Sequence, residues 1–110
     1  MAKFVITKRS NGEFQFNLKA GNGQTILSSE GYASKAGATG GIESVKTNSQ
    51  DDDRYDKKES SSGKPYFTLK AGNGQIIGSS EMYESTSSRD NGIASVKTNA
   101  PDAITDDQTI

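Results

Sequence analysis

Lys19 to Glu30 reads KAGNGQTILSSE, and Lys70 to Glu81 reads KAGNGQIIGSSE. The offset of 51 holds without a gap from Gly12/Gly63 to Asn48/Asn99. Matched pairs include Phe16/Phe67, Leu18/Leu69, Tyr32/Tyr83, Gly41/Gly92 and Ile42/Ile93, and the match ends in Val45-Lys46-Thr47-Asn48 and Val96-Lys97-Thr98-Asn99. The chain is a tandem duplication, and one repeat predicts the other.

Asn22-Gly23 inside the quoted stretch is a strong signal for a two-residue hairpin. Before it, Phe14, Phe16 and Leu18 alternate with Gln15, Asn17 and Lys19, the period of a half-buried strand. After it, Gln24–Ser28 forms a third strand with Ile26 inward. Upstream, Lys3–Lys8 alternates around Phe4 and Ile6, with Val5 facing the other way, and Ser10-Asn11-Gly12 supplies the turn. Beyond Tyr32 the period changes. Ser34 is an N-cap candidate, and Ala38, Ile42 and Val45 share one face of a helix from about Ser34 to Thr47. Gly41 costs that helix about 1 kcal/mol against Ala, and the recurrence at Gly92 points to close helix–sheet approach. Asn48 and Asn99 stand where a left-handed C-terminal cap belongs.

The second repeat follows suit. Arg54–Glu59 is its first strand, with Tyr55 for Phe4. Pro65, Phe67 and Leu69 form the second, Pro65 suiting a strand start or edge. Gln75–Ser79 is the third, and Ser85–Thr98 the helix. Ala103-Ile104-Thr105 suggests a terminal strand. The fold class is α+β: two β-β-β-α units, one antiparallel sheet, and both helices on one face. Residues 1–110 are read as a single domain of two repeats, 1–52 and 53–110, related by a pseudo-twofold axis. The expected core is Phe4, Ile6, Phe14, Phe16, Leu18, Ile26, Tyr32, Ile42, Val45, Tyr55, Phe67, Leu69, Ile77, Tyr83, Ile93 and Val96.

The doubled string Phe-x-Leu-Lys-Ala-Gly-Asn-Gly-Gln, Ser-Ser-Glu-x-Tyr, Gly-Ile-x-Ser-Val-Lys-Thr-Asn resembles the YegP-like proteins, small and mostly bacterial. The resemblance covers nearly the whole chain. It implies two β-β-β-α-β units that share one sheet and exchange their C-terminal strands, so that Arg54–Glu59 closes the first unit as it opens the second. It brings no activity, cofactor or catalytic residue. The departures are Lys57 in the place of Ile6, and Pro65 in the place of Phe14.

Composition removes many function classes. The chain has no histidine and no cysteine, which excludes Ser-His-Asp and Cys-His catalysis, disulfides and His- or Cys-ligated metals. Net charge is −1 and mean hydropathy −0.76, with no basic stripe for nucleic acid, no membrane-length apolar run and no signal peptide. The default compartment is the cytoplasm. Asp51-Asp52-Asp53 and Asp106-Asp107 lack the spacing of a calcium loop, and Gly21-Asn22-Gly23 precedes a strand rather than the helix a phosphate loop needs. No catalytic, cofactor or metal residue is assigned.

Polar positions that packing does not require recur: Lys19/Lys70, Ser29/Ser80, Glu30/Glu81 and Lys46/Lys97. They form the candidate binding patch of a small non-catalytic module, monomeric, with two pseudo-symmetric faces toward a protein or small-molecule partner. A bland reading gives the serines to local backbone and the lysines to helix C-termini. Two alternatives are an enzyme using Glu, Lys and Tyr in an inter-repeat cleft, and nucleic-acid binding on the open sheet face through Gln15, Asn17, Lys19, Tyr66, Thr68 and Lys70.

Overall fold

The computed structural model describes residues 1–110. Its elements run β1 (Lys3–Lys8), β2 (Phe14–Lys19), β3 (Thr25–Ser28), α1 (Lys35–Asn48), β4 (Tyr55–Glu59), β5 (Pro65–Lys70), β6 (Ile76–Ser79), α2 (Thr86–Asn99) and β7 (Ile104–Asp107). All seven strands make one sheet in the order β4-β5-β6-β3-β2-β1-β7. The repeats meet where β3 and β6 pair antiparallel at Ser28 and Ser79. Those residues are counterparts, so the pseudo-twofold axis passes between them.

The C-terminal strands are exchanged. The strand that follows α1, β4, joins the far half by pairing with β5. Chain 53–110 returns β7 to β1, with Phe4 opposite Thr105 and Ile6 opposite Asp107. This last pairing is parallel, so the sheet is mixed rather than wholly antiparallel. Tight hairpins impose the antiparallel sense on their own strands; β7 arrives through a helix, which permits the parallel one.

Both helices lie on one face. Ile6 pairs with Phe16 and Leu18 with Leu27, while Leu69 pairs with Gly78. Phe16 meets α1 at Gly41, and Phe67 meets α2 at Gly92. A Cβ on either glycine would strike the hydroxyl end of Tyr32 or Tyr83 and crowd the Phe ring, which is why each helix accepts the cost of glycine. Tyr32 stacks on Phe16 at 6.2 Å and Tyr83 on Phe67 at 6.4 Å. These tyrosines are half-buried lids on the core. Phe14 is likewise only half-buried: it sits at the β2 start, under Lys8, whose Nζ is 5.5 Å from the ring. The other expected core residues are buried, joined by Leu27 and Ala38 among others.

Two local expectations need correction. The hairpin turns hold three residues, not two. Ala20 N–H donates to Gln24 O and Gly23 N–H to Ala20 O, with Gly23 at φ 85. The same pair of bonds recurs at Arg9–Glu13, Ser60–Lys64 and Ala71–Gln75, with Gly12, Gly63 and Gly74 at positive φ. Only the glycine of each turn enters the left-handed region; Asn22 instead accepts the Gln24 N–H on its side chain. Asn48 and Asn99 are not left-handed caps either. Each stays helical and donates its amide to the carbonyl of Ser44 or Ser95. Right-handed Ser49 and Ala100 follow, their N–H groups bonded to Val45 and Val96. The N-caps are the expected Ser34 and Ser85, which accept from Gly37 and Ser88.

Candidate functional site

With the helices on one face, the other face of the sheet is bare. Strand alternation lays a polar row across it. From β7 to β4 it runs Asp106, Val5, Asn17, Ser28, Ser79, Thr68, Asp56. Thr68 is 3% exposed, and its hydroxyl has no partner. Val5 is also buried, at 5% exposed. Beside this row stand Lys3 and Lys19, opposite each other on β1 and β2, and Lys70 on β5.

The structure divides the recurrent polar residues into three groups. Ser29 and Ser80 are buried and engaged with backbone. Ser29 Oγ accepts from Phe16 N–H at 2.8 Å and donates to Glu30 O at 2.8 Å; Ser80 does the same with Phe67 at 3.0 Å and Glu81 at 2.8 Å. These hydroxyls let β2 and β5 keep hydrogen bonds where β3 and β6 peel away.

Lys46 and Lys97 sit on the helix side. Lys46 Nζ lies 5.9 Å from the Phe4 ring centroid and 3.7 Å from Glu43, and Lys97 pairs with Asp52. Both occupy the last turn of a helix, where a cation meets the negative end of the dipole.

Lys19, Lys70, Glu30 and Glu81 remain at the ends of the central strands. Lys19 is in register with Thr25, and Gln24 Nε2 donates to Glu81 Oε1 at 3.4 Å. At this end of the sheet a neighbour of Lys19 therefore meets the other repeat's glutamate, while Lys70 at the opposite end pairs with Asp56 at 3.0 Å. The carboxylates also act on the neighbouring rings. Burial, then the charge of Glu30 or Glu81, raises the phenol pKa of Tyr32 and Tyr83.

Two concavities mark the surface. One of 440 Å³ lies beside β4, lined by Asp52, Tyr55, Lys57, Asp90 and Ile93. Its Tyr55 hydroxyl donates to Ser49 O at 2.8 Å, and burial drives that phenol far above its usual range. Lys57 is held by Asp90 at 3.3 Å. Desolvation pushes Asp90 upward, but hydrogen bonds and charge from Lys57 and Arg89 together outweigh it and lower its pKa. Proton-transfer groups in this hollow are thus committed to each other. The second concavity, 220 Å³, opens on the bare face between β7, β1 and the β2–β3 turn. Sequence reasoning missed it, because β7 supplies one wall and nothing local links Asp106 to Lys3. No group of acidic side chains is arranged to hold a metal ion, and no helix is long and apolar enough to cross a membrane.

Comparison with known proteins agrees with this architecture. The family described as "Domain of unknown function (DUF1508)" matches twice, over residues 10–56 and 60–107. A UPF0339 protein of Bordetella pertussis is 55% identical over 99% of this chain and 98% of its own length. YegP of Escherichia coli K12, also a UPF0339 protein, is 55% identical over 96% of each. The solution NMR structure of E. coli YegP superposes with a TM-score of 0.93 at 53% identity, covering 97% of this chain and 92% of that one. The NMR structure of a UPF0339 protein from Shewanella oneidensis gives 0.91 at 53% identity, covering 96% and 90%. These names assign no catalytic function. The doubled motif, the exchanged strands and the two family matches agree: the chain belongs to the DUF1508 family, in the two-repeat form that YegP represents.

Proposed function

We propose that the protein is a small non-catalytic binding module, acting in the cytoplasm as a monomer, that presents two pseudo-symmetric polar ends of one sheet to a partner. The observation that carries this reading is the composite nature of each end. Gln24 of one repeat reaches Glu81 of the other, which puts Lys19 and Glu81 at one end, and the pseudo-twofold through Ser28 and Ser79 relates Lys70 and Glu30 in the same way at the other. Packing does not require those four residues, yet both repeats have them. The serines beside them serve the backbone, which reduces the proposed patch to Lys19, Glu30, Lys70 and Glu81.

The test is the double substitution Glu30→Gln with Glu81→Gln. Exposed charges contribute little to stability, so the melting temperature should hardly move, while recovery of a specific binding partner from cell extract falls. Intact recovery, or a large loss of stability, removes the patch.

The enzyme alternative draws on the 440 Å³ hollow, but its Tyr55, Lys57 and Asp90 are engaged with one another or with backbone. Nucleic-acid binding on the bare face meets Asp56 and Asp106 among the lysines, an arrangement that weakens attraction for a phosphate backbone.

A further inference from the structure

The two halves treat the same cations differently. In the second half, Arg54 is tied to Asn48 Oδ1 at 3.2 Å and to Asp51 at 3.8 Å, and Lys70 to Asp56 at 3.0 Å. Their counterparts in the first half are Lys3 and Lys19. These face each other across β1 and β2, and neither forms an ion pair or a hydrogen bond with any other side chain. The position of Asp56 is taken here by Val5, which is apolar and buried. Like charges directly opposite in a sheet are destabilising, so the first half keeps a repulsion that the second half neutralises.

That uncompensated pair lines the 220 Å³ concavity. Val5 is among its lining residues, with Lys3 and Lys19, and Asp106 and Gln108 contribute from the β7 side. Asp106 stands next to Val5 in the parallel register. Its only side-chain bond is from Gln108 Nε2 at 3.3 Å, and it too has no ion-pair partner. Two free lysine ammonium groups, the amino-terminal Met1, one free carboxylate and an apolar residue thus line one small hollow.

We propose that this hollow binds a small amino- or hydroxy-carboxylate. The ligand's carboxylate lies between the Lys3 and Lys19 ammonium groups and relieves their repulsion. Its hydrocarbon rests on Val5, and its amine or hydroxyl donates to Asp106. The proposal deepens the binding-module reading and rests on it, but it uses a site that does not involve Glu30.

The experiment is a titration of the ¹⁵N-labelled full chain at low salt with L-glutamate, with glutarate (the same acid without the amine) and with inorganic phosphate. The expected result is saturable shifts with L-glutamate, concentrated at the amides of Lys3, Val5, Lys19 and Asp106. Glutarate should bind more weakly. Lys19→Gln should weaken L-glutamate binding about tenfold, the worth of one charged hydrogen bond, while Lys70→Gln leaves it unchanged. Val5→Asp gives the first half the second half's internal partner and should abolish binding. Should that variant not fold, Lys19→Gln at the half-exposed end of β2 keeps the comparison. Asp106→Asn should erase the preference for L-glutamate over glutarate. Absence of saturable L-glutamate shifts, shifts that survive Lys19→Gln, or phosphate binding as tightly as L-glutamate would each overturn the proposal. The Glu30→Gln/Glu81→Gln protein should bind L-glutamate like the wild type. Loss of the partner reading and loss of this site are therefore separate results.

Discussion

At the outer edge of one half, Ile6 is buried beside β7 at 1% exposed; at the outer edge of the other, its counterpart Lys57 meets Asp90 in the open at 3.3 Å. The same contrast recurs inward. Phe14 and Tyr32 exchange two backbone hydrogen bonds, whereas Pro65, having no N–H, accepts only the one from Tyr83. Leu27 fills the space at the axis that its counterpart Gly78 vacates. Duplication therefore preserved the scaffold and let the interior diverge where the twofold or the exchanged strand treats the halves unequally. β7 has no equivalent beside β4, and a charged, inward-pointing lysine on that bare edge is a known way to discourage unwanted strand pairing.

The largest expected effects fall where the halves are alike. Phe16→Ala and Phe67→Ala should each cost about 3–5 kcal/mol in denaturant unfolding, since both rings are fully buried between a tyrosine lid and the sheet. A clear inequality would show that one half dominates the core.

Ser29→Ala and Ser80→Ala should each cost about 1–3 kcal/mol, because each leaves a buried Phe N–H unpaired. Unchanged stability would return these serines to the binding patch.

Gly78→Ala sharpens the contrast at the axis. Its Cβ would lie 2.7 Å from Leu27 Cγ and Cδ2, and Leu27 is fully buried with no room to yield. A loss of about 1–3 kcal/mol is expected, and it should largely vanish in a Leu27→Ala background. An equal penalty in both backgrounds would remove Leu27 as the cause.

The smallest effect concerns the edge ion pairs. A hydrogen bond from Thr109, then one from Lys35, holds Asp107 at about 2, below its ordinary 3.8. A depressed folded-state pKa means that the stabilisation is present above pH 3.8 and is lost as pH falls through about 2. Melting temperatures taken between those limits should show less acid sensitivity in Asp107→Asn than in the wild type. Asp90→Asn should act in the same direction on the other edge. A wild-type acid slope in Asp107→Asn would discount this pair.

Much of the fold was legible because the chain states it twice. The period-two run at Phe14–Leu18, the Ser34 and Ser85 caps and the inward Phe, Leu and Ile positions follow from local chemistry that both repeats carry. Leu27 was missed because Ile26 stands beside it. A register shift between Leu18 and Lys19 puts Leu27 opposite Leu18 on the helix-covered face while Ile26 is buried as well, and strict alternation admits only one of them. The parallel sense of β7 was hidden because long-range pairing leaves no local signature. The site was less legible for the same reason. Recurrence marked Lys19 and Glu30, but Lys3, Val5 and Asp106 come together only through the β1–β7 pairing. Ser29 looked functional in sequence because a buried hydroxyl serving the backbone recurs as faithfully as a ligand-binding one.

The central claim is that neither repeat is complete alone. β7 covers the edge of β1, and α1 packs over β5 and β6 of the other half as well as over β2. Residues 1–52 by themselves would lose that strand and half of that packing, leaving a core too small to offset chain entropy. The decisive measurement is thermal unfolding of the isolated 1–52 chain with its mass determined by sedimentation. The expected result is either no cooperative transition, or a folded species only as a dimer that rebuilds the full sheet. A monomer of 1–52 that melts cooperatively would contradict it.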